Sequence, residues 1–128
     1  MINQEVEKLS YRVIGLAIKV HKELGPGLLE STYERCLCYE LEKNNIQYKS
    51  QVKLPIMYDG KLKIEEGYRI DILVKDKIIL ELKAVESLKK IHEAQLLTYL
   101  KLSNKKLGFL INFNEELLKK GIKRYILD

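Results

Sequence analysis

Cysteine is scarce in this 128-residue chain, occurring only at Cys36 and Cys38. Cysteines this close build no disulfide framework, and without further Cys or His ligands they make no metal site, so both read as reduced helix residues. No apolar run approaches the ~18 residues a membrane span requires, and repeats, linkers and low-complexity stretches are absent. Together with a polar, charged start from Met1 to Lys8, this predicts a cytoplasmic protein with no membrane association. What is present is 46% hydrophobic residues. That suits one domain over residues 1–128 with a proper core, and the chain is too short for two. Lys and Arg number 23 against 18 Asp and Glu, for a net charge of +5; this balance suits a polyanionic partner without demanding one.

Periodicity divides the chain into helices and strands. Asn3 or Gln4 opens a first helix with Leu9, Val13, Leu16, Ala17, Val20 and Leu24 at helical spacing, and Gly25-Pro26-Gly27 stops it. A second helix is predicted from about Leu29 to Asn44, closed by a left-handed residue at Asn44-Asn45. The period then changes to that of a strand from Tyr48 to Tyr58, despite Pro55, with a tight turn at Asp59-Gly60 leading to Leu62-Lys63-Ile64. Two further strands cover 68–74 and 78–84, a third helix about Leu88 to Ser103, and two more strands 107–113 and 122–127. Strand, helix and strand in succession imply a right-handed parallel crossover.

The strands over 68–74 and 78–84 carry the chemistry. In extended conformation Ile70, Ile72 and Val74 take one face, and Arg69, Asp71 and Leu73 the other. Glu81 and Lys83 share a face of the second strand. With Lys75-Asp76-Lys77 as a three-residue loop, Val74 opposes Ile78 and Asp71 opposes Glu81. A two-residue loop would set Asp71 against Leu82 and bury a charge at a cost of several kcal/mol. Two adjacent carboxylates repel unless a cation lies between them, and a hard divalent ion, Mg²⁺ or Mn²⁺, is its natural occupant. Carboxylates beside an amine are what metal-assisted phosphodiester hydrolysis requires.

Polar residues also fall within apolar helical arcs. Glu30 lies in the arc of Tyr33, Leu37 and Leu41, and His92 and Gln95 lie with Leu88, Leu96, Tyr99 and Leu102. Gln95 and Tyr99, four residues apart, stack on one face. Each has an ordinary reading: a solvated Glu-x-Lys pair, a first-turn glutamate, polar groups at a core edge, a boundary His92, an exposed His21. Their joint occurrence in this order favours a site.

Gly27-Leu-Leu-Glu30-Ser-Thr-Tyr33, preceded by Val20-His21-Lys22-Glu23-Leu24-Gly25-Pro26, closely resembles the signature of the GxxExxY family, a branch of the PD-(D/E)XK nuclease superfamily. Asp71, Glu81 and Lys83 match that superfamily's Asp…Glu-x-Lys core, and Gln95-Leu-Leu-Thr-Tyr99 is similar to the Gln-x-x-x-Tyr motif of its RecB-like members. Ile70 replaces the proline that names the superfamily. The resemblance implies an α/β, restriction-endonuclease-like core with a central mixed β-sheet flanked by helices. Its order is αβββαβ, here with an extra N-terminal helix and a C-terminal strand. It implies a nuclease acting on DNA, with Asp71, Glu81 and the backbone carbonyl of Leu82 ligating Mg²⁺ or Mn²⁺ and Glu30 reaching that ion directly or through water. Lys83 would act on the attacking water, Gln95 and Tyr99 would hold the site in position, and a homodimer would let so small a domain engage both strands. The rival expectation is a catalytically silent module of the same fold that binds nucleic acid or a protein partner.

Overall fold

Asn3 starts the first helix, its side chain accepting a hydrogen bond from the Val6 amide at 2.9 Å, which satisfies one free N–H of the first turn. The structure, a computed structural model, describes residues 2–128. Helix α1 (Gln4–Leu24) ends at Gly25, whose φ of 72° suits a residue without a Cβ. Helix α2 (Glu30–Lys43) is closed by Asn44, and Asn45 at φ 57° is the expected left-handed stop. Among the described residues no helix is long and apolar enough to cross a membrane.

Strand β1 (Tyr48–Lys53) is shorter than its apolar pattern suggested. Pro55 has no amide to give to a ladder. The chain therefore leaves the sheet after Leu54, and β2 (Ile56–Tyr58) pairs only with β3 (Leu62–Ile64). Asp59 and Gly60 both have positive φ, and the Lys61 amide donates to the Tyr58 carbonyl, closing a two-residue hairpin turn. Strand β4 (Arg69–Val74) returns antiparallel to β1, and β5 (Ile78–Lys83) runs antiparallel to β4. Helix α3 (Lys90–Ser103) then carries the chain to β6 (Leu107–Asn112), parallel to β5 as the crossover required. A 3₁₀ turn (Leu118–Gly121) leads into β7 (Ile122–Ile126), antiparallel to β6. The result is a mixed five-stranded sheet ordered β1-β4-β5-β6-β7, the α/β architecture expected from the sequence.

One apolar cluster unites α1 and α2 with the sheet through Val13, Ala17, Leu37, Ile72, Leu80 and Phe109. The second unites α3 with the sheet through Leu73, Ile79, Leu96, Leu100 and Leu110. Each fully buried Leu or Ile side chain contributes about 1.5–3 kcal/mol. Contact with α3 requires Gly108 in β6, where a Cβ would lie 2.9 Å from Leu96 Cδ1. Leu102, expected on the buried arc of α3, is exposed instead, and Leu100 takes the core position.

Face alternation holds along β4 with one exception. Ile72 and Val74 lie in the α1–α2 cluster, whereas Ile70, expected beside them, belongs to the α3 cluster, as does its β1 partner Val52. The change of face falls at Gln51 and Asp71. Gln51 has a φ of 51°, and the β1–β4 ladder passes from Ser50–Ile72 to Val52–Ile70 with no pair between. A left-handed residue interrupts strand geometry, so alternation does not carry across it.

Candidate active site

Backbone pairing between β4 and β5 begins at Val74–Ile78, as the three-residue loop required, and stops at Ile72–Leu80. Beyond that point two carboxylates take over the ladder. The Asp71 amide donates to Glu81 Oε2 at 2.9 Å, and the Leu82 amide donates to Asp71 Oδ2 at 2.8 Å. Each carboxylate is thus anchored through one oxygen. Leu82 directs its N–H toward β4, and in an extended strand a residue's C=O points to the same edge as its N–H. The Lys83 carbonyl turns the other way and accepts from the Phe113 amide at 2.8 Å.

Burial is the main electrostatic force on the pair. It raises the Asp71 carboxyl above its ordinary value, against the Leu82 amide and Lys83, which favour the charged form. Glu81, only 3% exposed, is pushed up to about 8, first by burial and then by the charge of Asp71. Lys83, half-buried and two residues beyond Glu81, donates from Nζ to Gln95 Oε1 at 3.5 Å, and Gln95 Nε2 donates to the Tyr99 hydroxyl at 3.1 Å. Burial also raises Tyr99, with Glu81 and Asp71 adding to the effect. Helix α3 thereby supplies a chain of polar groups ending at the Lys83 ammonium. Fully buried Asn112 holds the next turn through the Val85 amide (3.0 Å) and carbonyl (2.9 Å).

Glu30 approaches from the opposite helix layer. As the first residue of α2 it is exposed, and its Oε2 accepts from the Ala84 amide at 3.2 Å, just past Lys83. Tyr33 explains why the helix starts here. Its hydroxyl donates to the Gly25 carbonyl and accepts from the Leu28 amide, pinning both ends of the Gly-Pro-Gly loop. Its ring stacks on Phe113 with centroids 4.5 Å apart.

All six candidate side chains and the Leu82 backbone therefore gather where β4, β5, α2 and α3 meet. Two further residues, Glu34 and Gln51, join the site without having stood out by motif. Glu34, one turn after Glu30, accepts from Gln51 Nε2 at 2.9 and 3.1 Å, and the same amide reaches Asp71 Oδ1 at 3.4 Å. Burial raises the Glu34 carboxyl, and Asp71 and Glu30 add to the effect. The i, i+4 spacing of Glu30 and Glu34 was a usable signal. Gln51 left none, because Lys49-Ser50-Gln51 does not alternate.

His21 is a correction. Expected to be exposed, it is 5% exposed and lies 2.6 Å through Nε2 from the Glu115 carbonyl, tying α1 to the segment after β6. His92 is half-buried, as expected, and its Nδ1 accepts from the Lys89 amide at the start of α3. Both cysteines are free, and burial pushes the Cys38 thiol up to about 11. A surface depression of about 740 Å³, lined by Glu42, Tyr48, Lys49, Leu73, Lys75 and Asp76, contains none of the candidates. It lies toward the β4–β5 turn, so depth alone does not locate the site.

A sequence profile of the PD-(D/E)XK nuclease superfamily matches residues 7–125. The chain belongs to this superfamily. No match is found among curated proteins. PD-(D/E)XK nucleases typically use divalent metals, and the donor chemistry here fits one. Asp71 and Glu81 offer hard oxygen donors: Oδ2 and Oε2 take up the two amides, and Oδ1 and Oε1 are the oxygens not used in that cross-anchoring. Among the described residues no three Asp, Glu, His or Cys side chains converge to hold an ion by themselves.

Proposed function

We propose that the chain is a divalent-metal-dependent nuclease that hydrolyses phosphodiester bonds in DNA, of the GxxExxY type within the RecB-like branch. The observation that carries this reading is the cross-anchored Asp71–Glu81 pair, with Lys83 two residues further on the same strand and Gln95 at its ammonium. Structural salt bridges do not explain the arrangement. It places two carboxylates side by side in a buried setting, which costs stability unless a cation compensates.

In this reading Asp71, Glu81 and the Leu82 carbonyl would hold Mg²⁺ or Mn²⁺, with Glu30 reaching the ion directly or through water. A bound divalent ion supplies Lewis-acid polarisation of the phosphoryl oxygen and a lowered pKa for its water. Lys83 orients the attacking water and offsets the negative charge that grows on the phosphorane oxygens. Gln95 sets the direction of the ammonium through Oε1 and is itself oriented by Tyr99. The new bond joins the water oxygen to phosphorus as that water gives up a proton to solvent, and the ester bond opposite it breaks, the leaving alkoxide taking up a proton from solvent in return. Exposed lysines such as Lys89, Lys90 and Lys101 supply phosphate contacts outside the centre.

The test has two arms. Calorimetric titration with Mn²⁺ should show saturable binding to the wild type that Asp71→Ala abolishes with folding retained. Single-stranded and duplex DNA incubated with Mg²⁺ or Mn²⁺ should be cut by the wild type and not by Lys83→Ala. Absence of both binding and cleavage would overturn the proposal.

A further inference from the structure

Gln51 occupies a conformation that its residue type does not favour. A φ of 51° is left-handed, costly for a side chain with a Cβ and free for glycine. It occurs inside a strand, directly opposite Asp71 in the β1–β4 register, where the ladder skips a pair and both strands change the face they present. Core packing does not account for it, since Gln51 is exposed. The side-chain amide does have a task, with three acceptors within 3.4 Å: both oxygens of Glu34 and Asp71 Oδ1. Backbone irregularity beside a functional group commonly re-aims a side chain.

We propose that Gln51 is a positioning residue of the cation site, its left-handed backbone directing an amide that ties Glu34 of α2 to Asp71 of β4. This role rests on Asp71 being a cation ligand, as proposed above. Asp71 Oδ2 is already fixed by the Leu82 amide, so the direction of Oδ1, the oxygen left for a cation, depends on what stands beside it. An amide donor between two carboxylates offers an N–H to each of them and so holds them at a fixed separation. Glu34 then adds negative charge beside the Asp71–Glu81 pair without taking a donor oxygen from it. Gln51 and Glu34 therefore act as one unit: without the amide, Glu34 has no reason to stay, and without Glu34, two of the amide's three contacts are lost.

The proposal separates backbone strain from function, so Gln51→Gly is its decisive variant. Glycine accepts φ 51° without strain and removes the amide. Thermal unfolding of the metal-free variant should occur at or above the wild-type temperature, while calorimetry should show Mn²⁺ bound at least ten-fold more weakly. Glu34→Ala should weaken Mn²⁺ similarly. The double variant should be no weaker than the weaker single one, the signature of residues acting together. Wild-type Mn²⁺ affinity in Gln51→Gly, additive losses in the double variant, or a loss of affinity matched by an equal fall in stability would each overturn the proposal. Mn²⁺ binding that Asp71→Ala abolishes and Gln51→Gly leaves intact would overturn this role alone. Absence of saturable binding to the wild type would overturn the cation site and this role with it.

Discussion

Asp71 and Glu81 are bound to one another through the backbone: the Asp71 amide holds Glu81 Oε2 at 2.9 Å, and Asp71 Oδ2 holds the amide of Leu82, the residue after Glu81, at 2.8 Å. Neither side chain can turn away without stranding an amide. The pair therefore stays in place while carrying a charge that its surroundings oppose, and this conflict has measurable consequences.

The first concerns stability and pH. Glu81 titrates near 8 in the folded chain, well above an ordinary glutamate. Between about 4.5 and 8 the folded state holds a proton that the unfolded state has released, so stability falls as pH rises through this window. Glu81→Gln mimics the protonated form. It should match wild type near pH 5 and exceed it at pH 8.5, by on the order of 1–3 kcal/mol, in urea unfolding of metal-free protein.

Metal should reverse that slope. Binding expels the Glu81 proton, so Mn²⁺ affinity should rise between pH 6 and 8, by up to about ten-fold per pH unit, and level off above 8. At 100 times the dissociation constant, Mn²⁺ should add about 2.7 kcal/mol of stability. Calorimetry in two buffers of different ionisation enthalpy counts the protons released.

Lys83→Ala should separate binding from turnover. The ammonium does not touch the cation in the proposed arrangement, so Mn²⁺ affinity should change by no more than about three-fold. Cleavage should fall by roughly 10²–10³-fold, the usual cost of losing one transition-state donor. Single-turnover assays at saturating metal make the comparison.

Tyr33→Phe probes the entry to α2. The variant keeps the stacking on Phe113 and loses the hydroxyl that joins Gly25 to Leu28. The expected cost is about 1–3 kcal/mol, read from urea denaturation with an unchanged slope. Because Glu30 begins the helix that this loop releases, metal affinity should weaken as well.

Much of this site could be read from residue spacing. The Lys75–Lys77 loop fixes the register, since any other pairing would bury Asp71 against Leu82, and the observed ladder follows it. The i, i+4 spacing of Gln95 and Tyr99 gave their contact. Other features were hidden because they depend on contacts distant in sequence. Pro55 looked like a blemish in one long strand, and only the absence of a neighbour for β2 in the sheet shows that the strand ends. His21 looked exposed because the carbonyl that receives it lies at Glu115, at the other end of the chain. Gln51 was hidden for a third reason: no composition rule anticipates a glutamine where the backbone calls for glycine.

The β2–β3 hairpin leaves the sheet and rejoins it at almost one point, because the Leu54 amide donates to the Tyr68 carbonyl at 2.9 Å. The segment from Pro55 to Gly67 lies between those two residues, and within it Met57, Tyr58 and Leu62 face solvent. A strand spacing of roughly 5 Å is short enough for a tight turn to span. Evolution or an engineer can lengthen, trim or exchange this appendage while the strands carrying Asp71 and Glu81 stay where they are.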